Sequence, residues 1–301
     1  MKLPLEDPYP PHQFDYQEAF GRNLGWVTKD EQQRLRQFRI GIIGLGGVGG
    51  HHLHALVRMG FSKFSLADFD RFSIQNFNRQ FGASMSTLGQ PKLDTSVQMA
   101  KDINPEVDIQ CFDQGIHLEN AEAFIDSVDL ICDSLDLFAS DLRVPIYEMA
   151  HKKGKYVMTA GPFGAGSSIV INHPKKMSFG QYFDLEDKNL STEAKVIHFL
   201  LGVSPTMMHR RYVASPTDVD VFNHRLPSLH AGCYMASSLV AANIFKIALG
   251  RGKVLYAPWS YHIDLYLNKV KKRYIPFGNR NWIQRLKIRH ALKYFKAQKF
   301  N

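Results

Sequence analysis

Arg39-Ile40-Gly41-Ile42-Ile43-Gly44-Leu45-Gly46-Gly47-Val48-Gly49 is the stretch that decides the fold. An apolar run of strand length ends in a glycine-rich turn, and apolar residues then recur at helical spacing. Leu53, Leu56, Val57 and Gly60 share one face of a helix expected from about residue 48 to 59. Gly44, Gly46 and Gly49 form Gly-x-Gly-x-x-Gly between the two elements. Glycines there allow the tight turn and let the backbone approach a phosphate, whose charge meets the free N–H groups at the helix start. A second strand, Lys63 to Phe69, delivers Asp68 about twenty residues beyond the glycines, where a carboxylate suits a ribose hydroxyl.

Further along, Val107 to Phe112, Val128 to Asp133 and Tyr156 to Ala160 read as strands, with helices opening at Pro91 and spanning about 138 to 153. This βαβ alternation predicts an α/β fold, a Rossmann-like doubly wound sheet, mostly parallel. Gly161 to Gly166 breaks the alternation, and Ser167 to Ile171 is expected to turn back as an antiparallel extension. Thr28 and Glu31 stand at capping-box spacing and open a short helix before the first strand. Residues 177–230 read as irregular, with a short apolar segment at Val196 to Val203, whereas Leu229 to Leu249 reads as an apolar helix ending at Gly250, for a core or a subunit contact.

Composition divides the chain into an extended, proline-rich arm (1–20), a body (21–264) and a basic tail (265–301). All 28 acidic residues lie at or before Asp264, whereas 11 of the 37 lysines and arginines lie beyond it. The excess of positive charge is therefore a property of the tail. Three scattered cysteines, Cys111, Cys132 and Cys233, exclude a disulfide scaffold or a Cys-x-x-Cys zinc site and suit a reducing compartment. Met1 to Phe20 lacks a signal-like apolar stretch, and Ala236 to Leu249 contains Asn243 and Lys246 and is short for a bilayer, so a cytoplasmic protein with no transmembrane segment is expected. Cys111 and Cys132 read as small core side chains on buried strands; Cys233 begins a helix, where a thiolate would be favoured, and reads as core packing ahead of catalysis. His51, His52 and His54 lack the i, i+4 spacing of a helical metal pair. Lys92 falls in the first turn of its helix, where a cation opposes the dipole by about 0.3–1 kcal/mol and calls for an anion nearby.

Gly44-x-Gly-Gly-x-Gly49, Asp68-x-Asp70, Asn76-x-x-Arg79-Gln80, Gly89-x-Pro-Lys92 and a strand ending near Asp136 occur in that order. The combination resembles the ThiF/MoeB/HesA family of adenylyltransferases, relatives of the ubiquitin-activating enzymes. The resemblance implies ATP and Mg²⁺ at the carboxyl edge of the sheet and the joining of a substrate carboxylate to AMP with release of pyrophosphate. It implies that Gly47 and its glycine neighbours face the nucleotide, that Asp68 holds the ribose, and that Asn76, Arg79 and Gln80 line the phosphates. Lys92 would neutralise their charge and Asp136 would hold Mg²⁺. Arg22 is similar to the arginine that family members insert into a partner subunit's ATP site, which implies a homodimer. The substrate class implied is a ubiquitin-like or sulfur-carrier C-terminus, a peptide, a modified tRNA base or a small acid.

Two departures stand out: Leu137 follows Asp136 where the family usually has asparagine, and the zinc-binding Cys-x-x-Cys pairs of many members are absent, so no zinc is expected. The glycines and Asp68 alone would also allow a nicotinamide- or flavin-dependent oxidoreductase, and Leu137 leaves open a non-catalytic interaction protein on the same fold. Arg79 and Lys92 argue for a triphosphate over a dinucleotide. In the tail, Ile288, Ala291, Leu292 and Phe295 repeat at helical spacing, predicting a helix over about 281 to 299 with an apolar strip flanked by cations. Such a helix could pack on the body, lie on a membrane, or contact an acidic partner or nucleic acid; the narrow strip and its single tryptophan, Trp282, disfavour the membrane.

Overall fold

Strand β1 (Arg39–Ile43) turns Ile40 and Ile42 to one face of the sheet and Gly41 and Ile43 to the other, and all four are buried. A strand covered on both sides needs such an uninterrupted apolar run. In the computed structural model, which describes residues 14–186, 189–221 and 226–298, β1 runs parallel to β2 (Lys63–Ala67) and β4 (Leu130–Asp133). β3 (Asp108–Phe112) continues the parallel series beside β2, and β5 (Tyr156–Phe163) beside β4. β6 (Gly166–Asn172), β7 (Trp259–Asp264) and β8 (Lys269–Tyr274) then extend the sheet antiparallel, giving the order β3-β2-β1-β4-β5-β6-β7-β8. The doubly wound, mostly parallel sheet with an antiparallel extension is the expected architecture.

Short α1 (Tyr16–Ala19) and α2 (Lys29–Gln37) precede the sheet, and Thr28 and Glu31 close the expected capping box at the start of α2. α3 (Gly49–Arg58) and α4 (Lys92–Ile103) cover the Ile40/Ile42 face. α5 (Leu118–Asp126), α6 (Ser140–Lys152), α7 (Phe179–Phe183) and α8 (Thr192–Val203) cover the Ile43 face. α9 (His230–Leu249) joins the first face, and α10 (Trp282–Gln298) lies on α8.

Three regions differ from the sequence-based expectation, and a fourth, the long apolar helix, meets it. The stretch 177–230 is not irregular throughout: it holds α7 and α8, and α8 shows no clean helical period because Val196, Ile197, Phe199, Leu201 and Val203 are all buried. α9 is 20 residues long and has the length and apolarity to cross a bilayer, yet it packs on β5, β6 and α3, which explains its composition. Cys111 is exposed, because β3 is an edge strand with little covering it, whereas Cys132 and Cys233 are buried as expected. Finally, the basic stretch after Asp264 supplies β8 to the sheet, and Ile288, Ala291 and Leu292 of α10 pack against Ile197, Leu201 and Met207. The apolar strip is thus turned to the body, while the side chain of Phe295 lies outside the described residues, as do residues 1–13 of the expected arm.

Candidate active site

Ile43 pairs in register with Ala67 on one side and Asp133 on the other, so Gly44, Asp68 and Ser134 leave the sheet side by side at its carboxyl edge. β2 and β3 lie to one side of β1, and β4 and β5 to the other. That reversal of strand order is the topological switch point, outside which doubly wound sheets bind ligands.

The four glycines of the turn have different reasons. Gly44 has a left-handed φ of 91°, and a Cβ there would come within 2.4 Å of the Ser134 carbonyl oxygen. A Cβ on Gly49 would meet the Gly44 carbonyl oxygen at 1.8 Å, so the start of α3 rests directly on the end of β1. Gly46 and Gly47 are not crowded by their own chain: a Cβ would find only the Gln80 amide, its Nε2 at 3.6 Å, in one case and Arg79 Cδ at 4.0 Å in the other. Their bare backbone leaves a concave strip toward Arg79 and Gln80. α3 begins with no side-chain cap and no acid in its first turn, which leaves its first N–H groups suited to an anion.

Asp68 is nearly buried and accepts hydrogen bonds from Leu45 N–H at 2.6 Å and Asp70 N–H at 2.7 Å. Burial raises its carboxyl above the usual range, and those two N–H donors oppose the rise. It therefore braces the glycine turn from the end of β2. Lys92 opens α4, is 5% exposed, and pairs through Nζ with Asp70 Oδ2 at 2.8 Å. The anion that answers this misplaced cation is thus Asp70, whose own side chain is half exposed.

Asn76 ends a 3-10 turn (Ile74–Asn76) and accepts from Ser73 N–H at 3.0 Å, so this buried amide shapes the loop. Arg79 donates to the Gln75 carbonyl at 2.7 Å and to Asn78 Oδ1 at 3.0 Å, which holds its stem beside Gly47. Gln80 is buried beside Gly46, and its Oε1 has no hydrogen-bond partner among the described residues. A buried acceptor without a donor is uncommon and marks a place where a ligand or water completes the network.

Asp136 is exposed on the loop between β4 and α6, with one carboxylate oxygen accepting from Phe138 N–H at 2.9 Å. What fixes this loop was missed in the sequence. Asp133 and Arg143 form an ion pair with both side chains 1% exposed, and Thr159 Oγ1 donates to the same Asp133 oxygen at 2.9 Å. The Arg143 guanidinium also donates to the carbonyls of Leu135 and Asp136, both at 2.9 Å, and stacks 4.2 Å from the Phe199 ring centroid. Leu137 packs its side chain on the core beneath. The signal was there: Ser140, Arg143, Ile146, Tyr147 and Ala150 fall on the inner face of α6, with Arg143 among apolar residues.

The structure does not bring Arg22 to this site. It is exposed on the 3-10 turn Gly21–Asn23, and the neighbouring Asn23 donates to the Met59 carbonyl at the far end of α3, roughly 15 Å of helix from the glycine turn. Burial raises the Cys233 thiol, so no cysteine among the described residues presents a poised thiolate here. Among the described residues no cluster of three or more His, Cys, Asp or Glu could hold a metal. A single exposed carboxylate such as Asp136 suits Mg²⁺, which is commonly held by one or two carboxylates together with substrate phosphates.

The ThiF family matches residues 20–281. The chain belongs to the ThiF family. As a ThiF family member it is 28% identical over 248 residues to the sulfur carrier protein adenylyltransferase of Thermus thermophilus, a match covering 81% of this chain and 79% of that protein. It is 35% identical over 123 residues to the tRNA threonylcarbamoyladenosine dehydratase of Haemophilus influenzae, covering 40% of this chain and 47% of the other. The chain spans about half or less of the length of the dehydratases it matches. Among solved structures, PaaA superposes with a TM-score of 0.64 at 17% identity, covering 91% of this chain and 78% of PaaA. Escherichia coli MccB with ATP gives 0.61 at 16% identity, covering 84% and 68%. These ThiF-like structures share the fold.

Proposed function

We propose that the protein is an ATP-dependent adenylyltransferase that activates a substrate carboxylate as acyl-AMP with release of pyrophosphate. The observation that carries this reading is the juxtaposition, at one switch point, of the bare Gly46–Gly47 backbone, the uncapped start of α3, the unpartnered Gln80 Oε1 and the Arg79 stem. Asp68 stands at the same edge to meet a ribose, and Lys92 supplies a further buried cation. A carboxylate attacking the α-phosphorus needs no strong general base; it needs fixed donors and cations where charge builds up on the phosphates. Mg²⁺ held by Asp136 would supply charge neutralisation of the leaving pyrophosphate. Arg79 and Lys92 are pre-set for the same task by their contacts to Gln75 and Asp70. The oxidoreductase alternative is disfavoured because a pyrophosphate held by the helix end leaves these cations without a role.

The substrate reading follows the relative matched over most of both chains, whose name is a sulfur carrier protein adenylyltransferase. A protein or peptide C-terminal carboxylate is therefore the class to test first, ahead of the modified tRNA base suggested by the shorter dehydratase matches. The remoteness of Arg22 from its own glycine turn supports a homodimer in which each Arg22 serves the other subunit's site. Pyrophosphate exchange into ATP, screened across sulfur-carrier proteins, peptides, small acids and tRNA, tests the assignment. Exchange that depends on one carboxylate class supports it; tight binding of NAD with no exchange for any of them would overturn it.

A further inference from the structure

Strand β8 is the open edge of the sheet and is exposed along its whole length. Lys269, Lys271 and Arg273 project to one of its faces at a spacing of about 7 Å. Lysine on an edge strand commonly guards against edge-to-edge pairing. That explanation stops at the strand, whereas the charge does not. Arg285, Arg289 and Lys293 follow at i, i+4 and i+8 on the outward side of α10, where no edge needs guarding. Burial lowers the Lys287 ammonium, and the nearby Arg273 guanidinium lowers it further, so the strand and helix cations share one field. None of the six exposed cations of the two stripes makes an ion pair among the described residues, and no acid follows Asp264. Unanswered like charge of this extent costs stability and suits a polyanion.

Aromatic rings are interleaved with the cations. Phe277 and Trp282, between the strand stripe and the helix stripe, are 72% and 73% exposed. Phe277 is held at a left-handed φ of 63°, an unfavourable backbone state for a bulky residue, and its ring gains no burial in return. The inner strip of α10 is packed on α8, and the exposed Trp282, Ile283, Leu286 and Tyr294 share the outer side with Arg285, Arg289, His290 and Lys293, so that side is mixed rather than a purely apolar face. Cations tracking a backbone beside exposed rings are the pattern of single-strand platforms, where bases stack on aromatics. We infer that β8, the Phe277 turn and the outer face of α10 form a binding surface for single-stranded nucleic acid.

The test uses the full chain and fluorescence anisotropy of labelled single-stranded RNA and DNA of about 20 nucleotides, with a duplex for comparison. Single strands should bind better than the duplex. One phosphate contact for each of the six cations predicts a roughly 300-fold loss of affinity between about 50 and 200 mM salt. The charge reversal Lys271→Glu/Arg273→Glu/Arg285→Glu/Arg289→Glu should weaken binding more than tenfold. Trp282→Ala and Phe277→Asn, the latter suited to the left-handed backbone, should weaken single-strand binding at least about fivefold without changing the salt slope. These two also keep the test valid if the charge reversal unfolds the protein. Equal competition by polyglutamate would point to an acidic protein and overturn the assignment. Capture by phosphatidylserine vesicles with no binding of oligonucleotide would overturn it too, as would wild-type affinity in Trp282→Ala together with Phe277→Asn. Binding is read without ATP turnover, so failure here leaves the adenylation reading untouched.

Discussion

Arg143 Nε lies 3.0 Å from Asp133 Oδ2 with both side chains withdrawn from water, and the same guanidinium holds the carbonyls of the loop that carries Asp136. Removing one partner leaves the other charge buried and unpaired, a loss of about 3–5 kcal/mol. Arg143→Met and Asp133→Leu should each lower unfolding free energy by that order in urea titrations. A loss below about 1 kcal/mol in both would show that water or a rearranged neighbour satisfies the remaining charge.

The fold was legible because several local signals agreed: the β1 run, the glycine turn, the helical period of α3 and the acid at the end of β2 all point to one switch point. The capping box at Thr28 and the left-handed Gly250 after α9 were legible for the same reason, since each rests on contacts within a few residues. The Asp133–Arg143–Thr159 network was legible only in part: Arg143 stands among apolar residues on the inner face of α6, but its partners sit on β4 and β5 and only the folded sheet brings the three together. α8 escaped because a helix covered on most sides has no amphipathic period to read. The role of Asp70 as the counter-ion of Lys92 was likewise hidden, since it depends on the loop after β2 returning to the start of α4.

Lys92→Ala and Asp136→Ala should each reduce ATP–pyrophosphate exchange by about 100-fold or more, equivalent to about 3 kcal/mol of charge stabilisation. Asp136 is exposed, and the Asp70 side chain left behind by Lys92→Ala is half in water, so neither change should unfold the protein. Exchange at wild-type rates with a normal melting temperature in either variant would remove the proposed charge role.

Arg22 lies at the far end of α3 from its own chain's glycine turn, and the proposed service of Arg22 to a partner subunit's site has a direct consequence. Mixing Arg22→Ala with Asp136→Ala under conditions of subunit exchange should regenerate about one quarter of the wild-type sites per dimer population, counting one intact composite site in half of the dimers. Exchange of subunits, shown by native mass spectrometry, with no recovered activity would count against the shared site.

His52 of α3 is 1% exposed, and neither ring nitrogen has a partner among the described residues. Burial pushes its pKa down to about 3, and the neighbouring His51 adds to the effect. The unfolded chain protonates this ring near its ordinary 6.5, whereas the folded chain does not. Stability from the neutral ring is therefore fully present above about pH 6.5 and is lost as pH falls, at about 1.4 kcal/mol per unit, until the folded pKa is reached. Comparing urea stabilities at about pH 7.5 and about pH 5, His52→Leu should lose roughly 2 kcal/mol less than the wild type. The same loss in both proteins would mean that another group carries the acid sensitivity.

The glycine turn allows folding and ligand binding to be separated by position. A methyl group on Gly49 would overlap the Gly44 carbonyl oxygen at 1.8 Å, with only backbone to move, so Gly49→Ala should destabilise the protein by several kcal/mol. On Gly46 and Gly47 the same methyl group meets nothing closer than 3.6 Å, and neither residue has a left-handed φ. Gly46→Ala and Gly47→Ala should therefore melt within a few degrees of the wild type, since a change of 1 kcal/mol shifts a domain of this size by about 2–4 °C. Their added carbon stands where the bare backbone would approach a phosphate, so ATP affinity measured by calorimetry should fall by about tenfold or more. Unchanged ATP affinity in both variants would place the phosphates elsewhere and leave the openness of Gly46 and Gly47 without a ligand to explain it.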